Sequence, residues 1–389
     1  MTSSVEVSQV TSELPEALRP LRERLLANLV MIAQIPAPTG MEGHRARFLL
    51  ERFAEAGLSD AAADEAGNAV GRINGRRGDR TILLASHLDT IFPASQSHDV
   101  VVEADRVIGA GVGDNALGSA VISLMPTVLE HLDIQLQSDL ILLGTTKSLG
   151  RGNHAGIRFF LDHAPGRIDF GICVEGIQLG RVNFFSIGTA RADVICDIRP
   201  MTEPSRSYGS ESALVVLNHV INRILAIALP SRPYTRILLG KMRAGVSYDT
   251  DPDRAELGLE IVSHSDEMIE QISRQINDIA LEMSARHAVD VALDVFSTTK
   301  AGGIAFAHPM VKSVLDVMNQ LGIEPDQGHS PSELSELITR RIPAVTLGIT
   351  RGKSRKREPD YILIDPILRG VAQLVGVVLA IDRGVCDES

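Results

Sequence analysis

The sequence predicts an α/β protein: a mixed sheet sandwiched by helices, with a smaller α+β domain inserted into it. Three observations carry this. Short β-branched or Leu-rich runs with little polar interruption ("NAVGRI", "TILLASHLD", "DLILLGTT", "DFGICVEG", "AVTLGIT") alternate with amphipathic segments in the outer parts of the chain, as buried central strands covered by helices require. From about Thr189 to Thr299 the texture changes to strands of alternating character around two helices. The length, 389 residues, exceeds the roughly 100–200 residues of one domain. The boundaries are therefore 1–188 plus 300–389 for the outer domain and 189–299 for the insert.

Taken in order, residues 1–13 are mostly polar and read as a frayed end. A helical pattern follows Pro20 through Leu21, Leu25, Leu29 and Ile32, and Pro36 and Pro38 stop it. Thr39 is read as the cap of the next helix and Gly57 as its end. Helices are expected at Ala116–His131 and His154–His163. In the insert, "ARADVICDIRP", "RILLGKM", "AELGLEIVS" and "AVDVALDVF" read as strands, with helices at Ser212–Leu229 and Asp266–Arg286. The outer pattern resumes at "HPMVKSVLDVMNQLG", where Pro309 suits the first turn and Gly322 the C-terminal cap.

Composition narrows the function. Apolar residues make up 44% and charged residues 22%, which excludes disordered and fibrous classes. The net charge of −11 would repel a phosphate backbone, so nucleic acid is not an expected partner. Cys173, Cys196 and Cys386 are odd in number and far apart, which argues for a reducing compartment. With no basic n-region at the start and no run near the ~20 apolar residues of a span, the expected location is the cytoplasm, with no membrane partner.

His87 and Asp89 lie just past a buried strand, in "LLASHLDT", where open α/β sheets place their ligand sites. Asp114 lies among clustered glycines in "IGAGVGDNALGSA", and Glu175 ends the strand "ICVEG" with no basic neighbour in sequence. An imidazole and two carboxylates at strand ends of one sheet can converge on a cation. The glycines at 109, 111, 113 and 118 lack dinucleotide-loop spacing. His154, His308 and His329 are candidates for new ligands or bases, though such histidines more often are helix-cap or surface residues, and no cysteine has a CxxC partner.

On "SHLDT", "GxGVGDN", the strand-ending "VEG", the inserted domain and the closing "IPAVTLG", the chain resembles the co-catalytic zinc peptidase and amidohydrolase family that includes aminoacylase, peptidase T, glutamate carboxypeptidase and succinyl-diaminopimelate desuccinylase. The resemblance implies a zinc-peptidase-like fold and an insert that mediates dimerisation, hence a homodimer. It also implies that His87, Asp114 and Glu175 hold one zinc, with Asp114 in the bridging position. Asp89 matches the carboxylate that orients the histidine.

The other half of the family site is replaced. Where relatives carry two glutamates, a base and a ligand of the second zinc, this chain has Thr146 and Lys147. The final histidine ligand aligns with Lys356, or with Arg357 if the register slips by one. An ammonium has no lone pair to give, and at ~5 Å and an effective dielectric of about 20 it repels each unit of metal charge by roughly 3 kcal/mol. In the insert, Glu203 or a neighbour stands where relatives carry a histidine, and neither the asparagine expected near Ser247 nor the arginine expected near Val262 is present. Five of the seven residues from Arg351 to Arg357 are basic. Lys147, Lys356 and Arg357 are therefore the expected contacts of a small anionic ligand.

Two functions follow. One is a divergent hydrolase of a small amide or peptide, with zero or one zinc per chain, weak or lost dizinc activity and a base still to be found. The other is a non-catalytic, dimeric binding or regulatory relative with an anion-accepting cleft.

Overall fold

The computed structural model describes residues 11–58, 60–198, 212–287, 289–330, 332–355 and 358–388. The chain divides into two compact units, Met1–Ser186 with Gly303–Ser389, and Ile187–Gly302.

In chain order the elements are α1 (Arg22–Ala33), α2 (Gly43–Glu55), β1 (Ala62–Ala63), β2 (Ala69–Ile73), β3 (Thr81–His87), β4 (Val101–Val102), β5 (Arg106–Ile108), α3 (Leu117–His131), β6 (Asp139–Thr145), α4 (Ala155–His163), β7 (Phe170–Ile177) and β8 (Arg181–Ser186). The second unit holds β9 (Gly188–Ile198), α5 (Ala213–Leu225), β10 (Thr235–Ala244), β11 (Arg254–Ser263), α6 (Asp266–Arg286) and β12 (Val289–Thr299). The chain continues through β13 (Gly302–Gly303), α7 (Pro309–Gln320), β14 (Asp326–His329), α8 (Leu334–Thr339), β15 (Ala344–Thr350), β16 (Gly352–Arg355), β17 (Glu358–Leu363) and α9 (Ile367–Asp382).

The main sheet is mixed, in the order β1-β2-β6-β3-β7-β15-β8-β13, with β14 paired to β8. Its centre, β6, β3, β7 and β15, is parallel. Ile82, Leu84, Leu142, Ile172 and Leu347 are fully buried there, in a core shared with α1, α3 and α9. This explains the uninterrupted apolar runs: strands covered on both faces have no solvent side to signal by alternation. Parallel strands also bring their C-terminal ends to one edge, which is where open α/β sheets hold ligands.

In the second unit an antiparallel sheet of order β10-β11-β9-β12 packs its alternate residues against α5 and α6. Leu217 and Ile224 are in this core, whereas Leu214 is exposed. Helix α5 stops at Leu225 rather than Leu229.

Two other expectations change. Helical structure already begins at Thr11. Thr39 does not cap α2, whose N-cap is Glu42; its hydroxyl donates instead to Asp89 Oδ2 at 2.8 Å. The stretch Val112–His131 is long and apolar enough to cross a membrane, but 89% of its most apolar window is buried in the unit core, as in the core helix of a globular domain. Its serines, glycine and Pro126 hide that length in the sequence.

Candidate metal centre

The site is built at the C-terminal edge of the parallel strands. His87 is the last residue of β3. Since Ala85 pairs with Cys173 across β3 and β7, His87 lies level with Glu175, two residues further along each strand. Asp114 sits in the tight turn Val112–Ala116 that opens α3. That turn needs its glycines: Gly111 has φ +71°, and a Cβ on Gly118 would meet Asn115 Oδ1 at 2.4 Å and the Val174 carbonyl oxygen at 2.6 Å.

Asn115, fully buried, ties the segments together. Its Nδ2 donates to Ser86 Oγ at 3.0 Å and to the Val174 carbonyl at 2.8 Å, while Gly176 N–H donates to its Oδ1 at 2.7 Å. One side chain thus links the residues beside His87, Asp114 and Glu175. The peptide bond Asp114–Asn115 is cis.

His87 Nε2 lies 3.1 Å from Asp114 Oδ1 and 4.0 Å from Glu175 Oε2. Donor atoms of all three residues lie within 4.8 Å of one another. The separations of 3.1 and 4.0 Å fit under the ceiling of about 4.4 Å for two donors that each stand about 2.0–2.2 Å from one zinc ion, and the set of one imidazole and two carboxylates fits that metal. On the other side of the ring, Nδ1 is 3.0 Å from the Asp89 carbonyl and 3.4 Å from Asp89 Oδ1. This contact fixes the Nδ1–H tautomer and leaves Nε2 as the ligand atom.

Asp89 is itself anchored. Its Oδ2 accepts from Thr39 Oγ1 and from Leu149 N–H, both at 2.8 Å. Behind the loop, the buried Arg45 donates to the Ile35 and Leu88 carbonyls at 2.9 Å. Burial lowers the Arg45 guanidinium to about 10, against the raising charges of Asp89 and Glu42.

The electrostatics are those of a cation site holding a proton. Burial works against a charged His87, but hydrogen bonds to Asp114 and Asp89 and the charges of Glu333 and Glu175 outweigh it and hold the imidazolium well above its usual range. Burial pushes the Glu175 carboxyl up to about 7. Arg181 acts on both Glu175 and Asp114, so Glu175 has a basic neighbour in space that the sequence did not reveal.

Of the remaining sequence candidates, Thr146 and Lys147 are described, and neither is paired with this cluster. Thr146 is buried, and its hydroxyl is spent on the Ala66 carbonyl at 3.0 Å and Asn68 Oδ1 at 3.2 Å. Lys147 has φ +52° and its N–H donates to Glu42 Oε1 at 2.9 Å. Its side chain is exposed and, among the described residues, forms no ion pair with Asp114 or Glu175. Lys356, Arg357 and Glu203 lie outside the described residues.

Sequence reasoning missed four contributors. Asn115 stood in the motif but without a role. Asp360, fully buried, accepts from Gly111 N–H at 3.2 Å and Ser354 Oγ at 3.1 Å, joining the C-terminal hairpin to the glycine turn. His308 caps α7, its Nδ1 accepting from Met310 N–H at 3.1 Å, and His329 is exposed, both as read from the sequence. His154 is different: the sequence ranks a ligand or base there below a helix cap, yet with Glu333, which no local pattern signals, it is buried at the same edge as the triad.

The architecture defines a class of fold, a mixed sheet covered by helices with an inserted α+β unit. Residues 68–147 match the model of Peptidase family M28. The whole chain is similar in fold to a tripeptidase from Staphylococcus aureus subsp. aureus Mu50 at 21% identity, covering 93% of this chain and 99% of that one with a TM-score of 0.72. It is likewise similar to the di-peptidase Dug1p from Saccharomyces cerevisiae at 11% identity, covering 96% and 99% with a TM-score of 0.80. A dinuclear metal binding peptidase of the M20 family from Bacillus subtilis matches at 13% identity over 93% and 98%, with a TM-score of 0.64. The resemblance to co-catalytic zinc peptidases read from the motifs is thus met again in the fold.

Proposed function

We propose that the protein is a hydrolase of small amides or peptides that works with a single divalent metal, zinc by its donor set, held by His87, Asp114 and Glu175. The observation that carries this reading is the convergence of His87 Nε2 on Asp114 and Glu175 while Nδ1 is fixed by Asp89. When bound, the metal would polarise a substrate carbonyl and acidify a water. The chain's own residues supply the rest. Asp89 holds the histidine in register, Asn115 holds the ligand-bearing segments together, and Asp114, the most exposed of the three ligands, faces the solvent from which substrate arrives.

A second metal is disfavoured because Thr146 is committed to structural hydrogen bonds and Lys147 cannot ligate while protonated. The same commitment of Thr146 favours a second reading, a binding protein without catalysis. The two separate on one experiment: elemental analysis of the zinc-reconstituted full chain, with a screen of di- and tripeptides and N-acyl amino acids. One metal per chain and metal-dependent turnover supports the hydrolase; two tightly held ions or none overturns it. One metal without turnover selects the binding protein. The exposed edge strand β10, with Met242 on it, supports a homodimer, and a monomeric mass at micromolar concentration would exclude that.

A further inference from the structure

The hydrolase reading leaves the base unassigned, and two paired helices place a carboxylate where one is needed. Helix α4 follows β6, and α8 precedes β15, so each begins at the C-terminal edge of the parallel strands, the edge that carries the triad. The two helices run in the same direction. Arg158 Nη2 pairs with Glu336 Oε1 at 2.8 Å, and four residues further along each helix Asp162 Oδ1 accepts from Arg340 Nε at 3.2 Å.

One turn back from the Arg158–Glu336 pair stand His154 and Glu333. They are linked along their own helices by Arg158 N–H to the His154 carbonyl at 3.1 Å and Glu336 N–H to the Glu333 carbonyl at 3.0 Å. Both are buried, at 6% and 4% exposure. Among the described residues, His154 Nδ1 and Glu333 Oε1 have no hydrogen-bond partner. A buried carboxylate oxygen left unpaired costs several times what an ordinary hydrogen bond contributes, so such an atom at a ligand-bearing edge marks a place for an outside partner.

The geometry points to Glu333 as the catalytic carboxylate that replaces the missing base, with His154 beside it as the positioning residue. The inference rests on the hydrolase reading above. In the step, Glu333 accepts a proton from water as the water oxygen bonds to the amide carbonyl carbon. The C–N bond then breaks and the proton passes to the leaving nitrogen, so one water is consumed and a carboxylic acid and an amine are released. In support, the charge of Glu333 is felt at His87, at Glu175 and at His154.

The test compares wild type with Glu333→Gln, both loaded with cobalt(II). Three quantities are read: cobalt stoichiometry and affinity, the affinity for acetohydroxamate followed in the visible cobalt spectrum, and kcat on a di- or tripeptide that the wild type cleaves. A hydroxamate gives its proton to the base, so it reports on Glu333 without turnover. The expected result is cobalt affinity unchanged within about threefold, hydroxamate affinity reduced at least about tenfold, and kcat reduced about 10²–10⁴-fold. Unchanged hydroxamate affinity overturns the assignment and leaves a structural His154–Glu333 pair. Loss of cobalt from the variant also overturns it, in favour of cation binding by Glu333. No cobalt uptake by the wild type overturns the hydrolase reading and this one together. If Glu333→Gln does not fold, Glu333→Asp keeps the charge but withdraws it by one methylene. Full hydroxamate affinity in that variant counts against the assignment, and a tenfold loss with cobalt retained counts for it.

Discussion

Replacing Asn115 with alanine tests whether one amide holds the metal centre together. The side chain is fully buried and makes three hydrogen bonds of 2.7–3.0 Å. Ser86 Oγ keeps a neighbour in Ser119 Oγ at 3.3 Å, so its loss is small. Gly176 N–H and the Val174 carbonyl keep no replacement from that side chain, and an unpaired buried polar group costs about 1–3 kcal/mol. Two such groups place the expected destabilisation at about 2–6 kcal/mol, a large part of the roughly 5–15 kcal/mol by which domains are stable. Urea unfolding followed by circular dichroism gives the total. Hydrogen exchange over 82–88, 112–118 and 170–177 locates it, since the loss belongs to the strands around the site. Asn115→Asp keeps the acceptor for Gly176 but loses both donors, so it is expected to be destabilised as well. A loss below about 1 kcal/mol for Asn115→Ala, or loosened exchange elsewhere but not in these three segments, would refute the reasoning.

Three further outcomes are expected. Asp89→Asn removes the charge that orients His87 and lowers zinc affinity about 10–100-fold, read by competition with a chromogenic chelator. Gly118→Ala places a Cβ 2.4 Å from Asn115 Oδ1, and overpacking of this kind costs about 1–3 kcal/mol, measured by thermal or urea unfolding. Glu336 is pulled below its usual pKa of 4.5, because the bonds from Arg158 and Arg340 outweigh burial. Its stabilisation is therefore present above pH 4.5 and fades as pH falls through the lower folded value. Glu336→Gln should cost about 1.5–3 kcal/mol at pH 7 and progressively less below about pH 4, read from urea midpoints across that range.

The sequence was most legible where structure is local. The ends of α6 fall at Asp266 and Arg286 as the pattern predicts, because Ser265 accepts from Met268 N–H as its cap and the apolar repeat is regular. Thr39 shows the limit: it had the chemistry of a cap, but a buried carboxylate fifty residues away in sequence claimed its hydroxyl. Lys147 shows another, since its positive φ two residues past β6 and its exposure leave no mark in the strand pattern.

By itself the sequence determined the α/β class, the insert, and the three donors His87, Asp114 and Glu175 as candidates, because apolar period, glycine clustering and strand-end position are properties of short segments. Only the tertiary structure decided that these donors come within 4.8 Å of one another, that Asn115 and Asp360 brace them, and that His154 and Glu333 share their edge with buried atoms unpaired among the described residues. The physical reason is that burial and hydrogen-bond satisfaction are set by residues distant in the chain. A lone acid in "SELSEL" carries no mark of the helix that will run beside it.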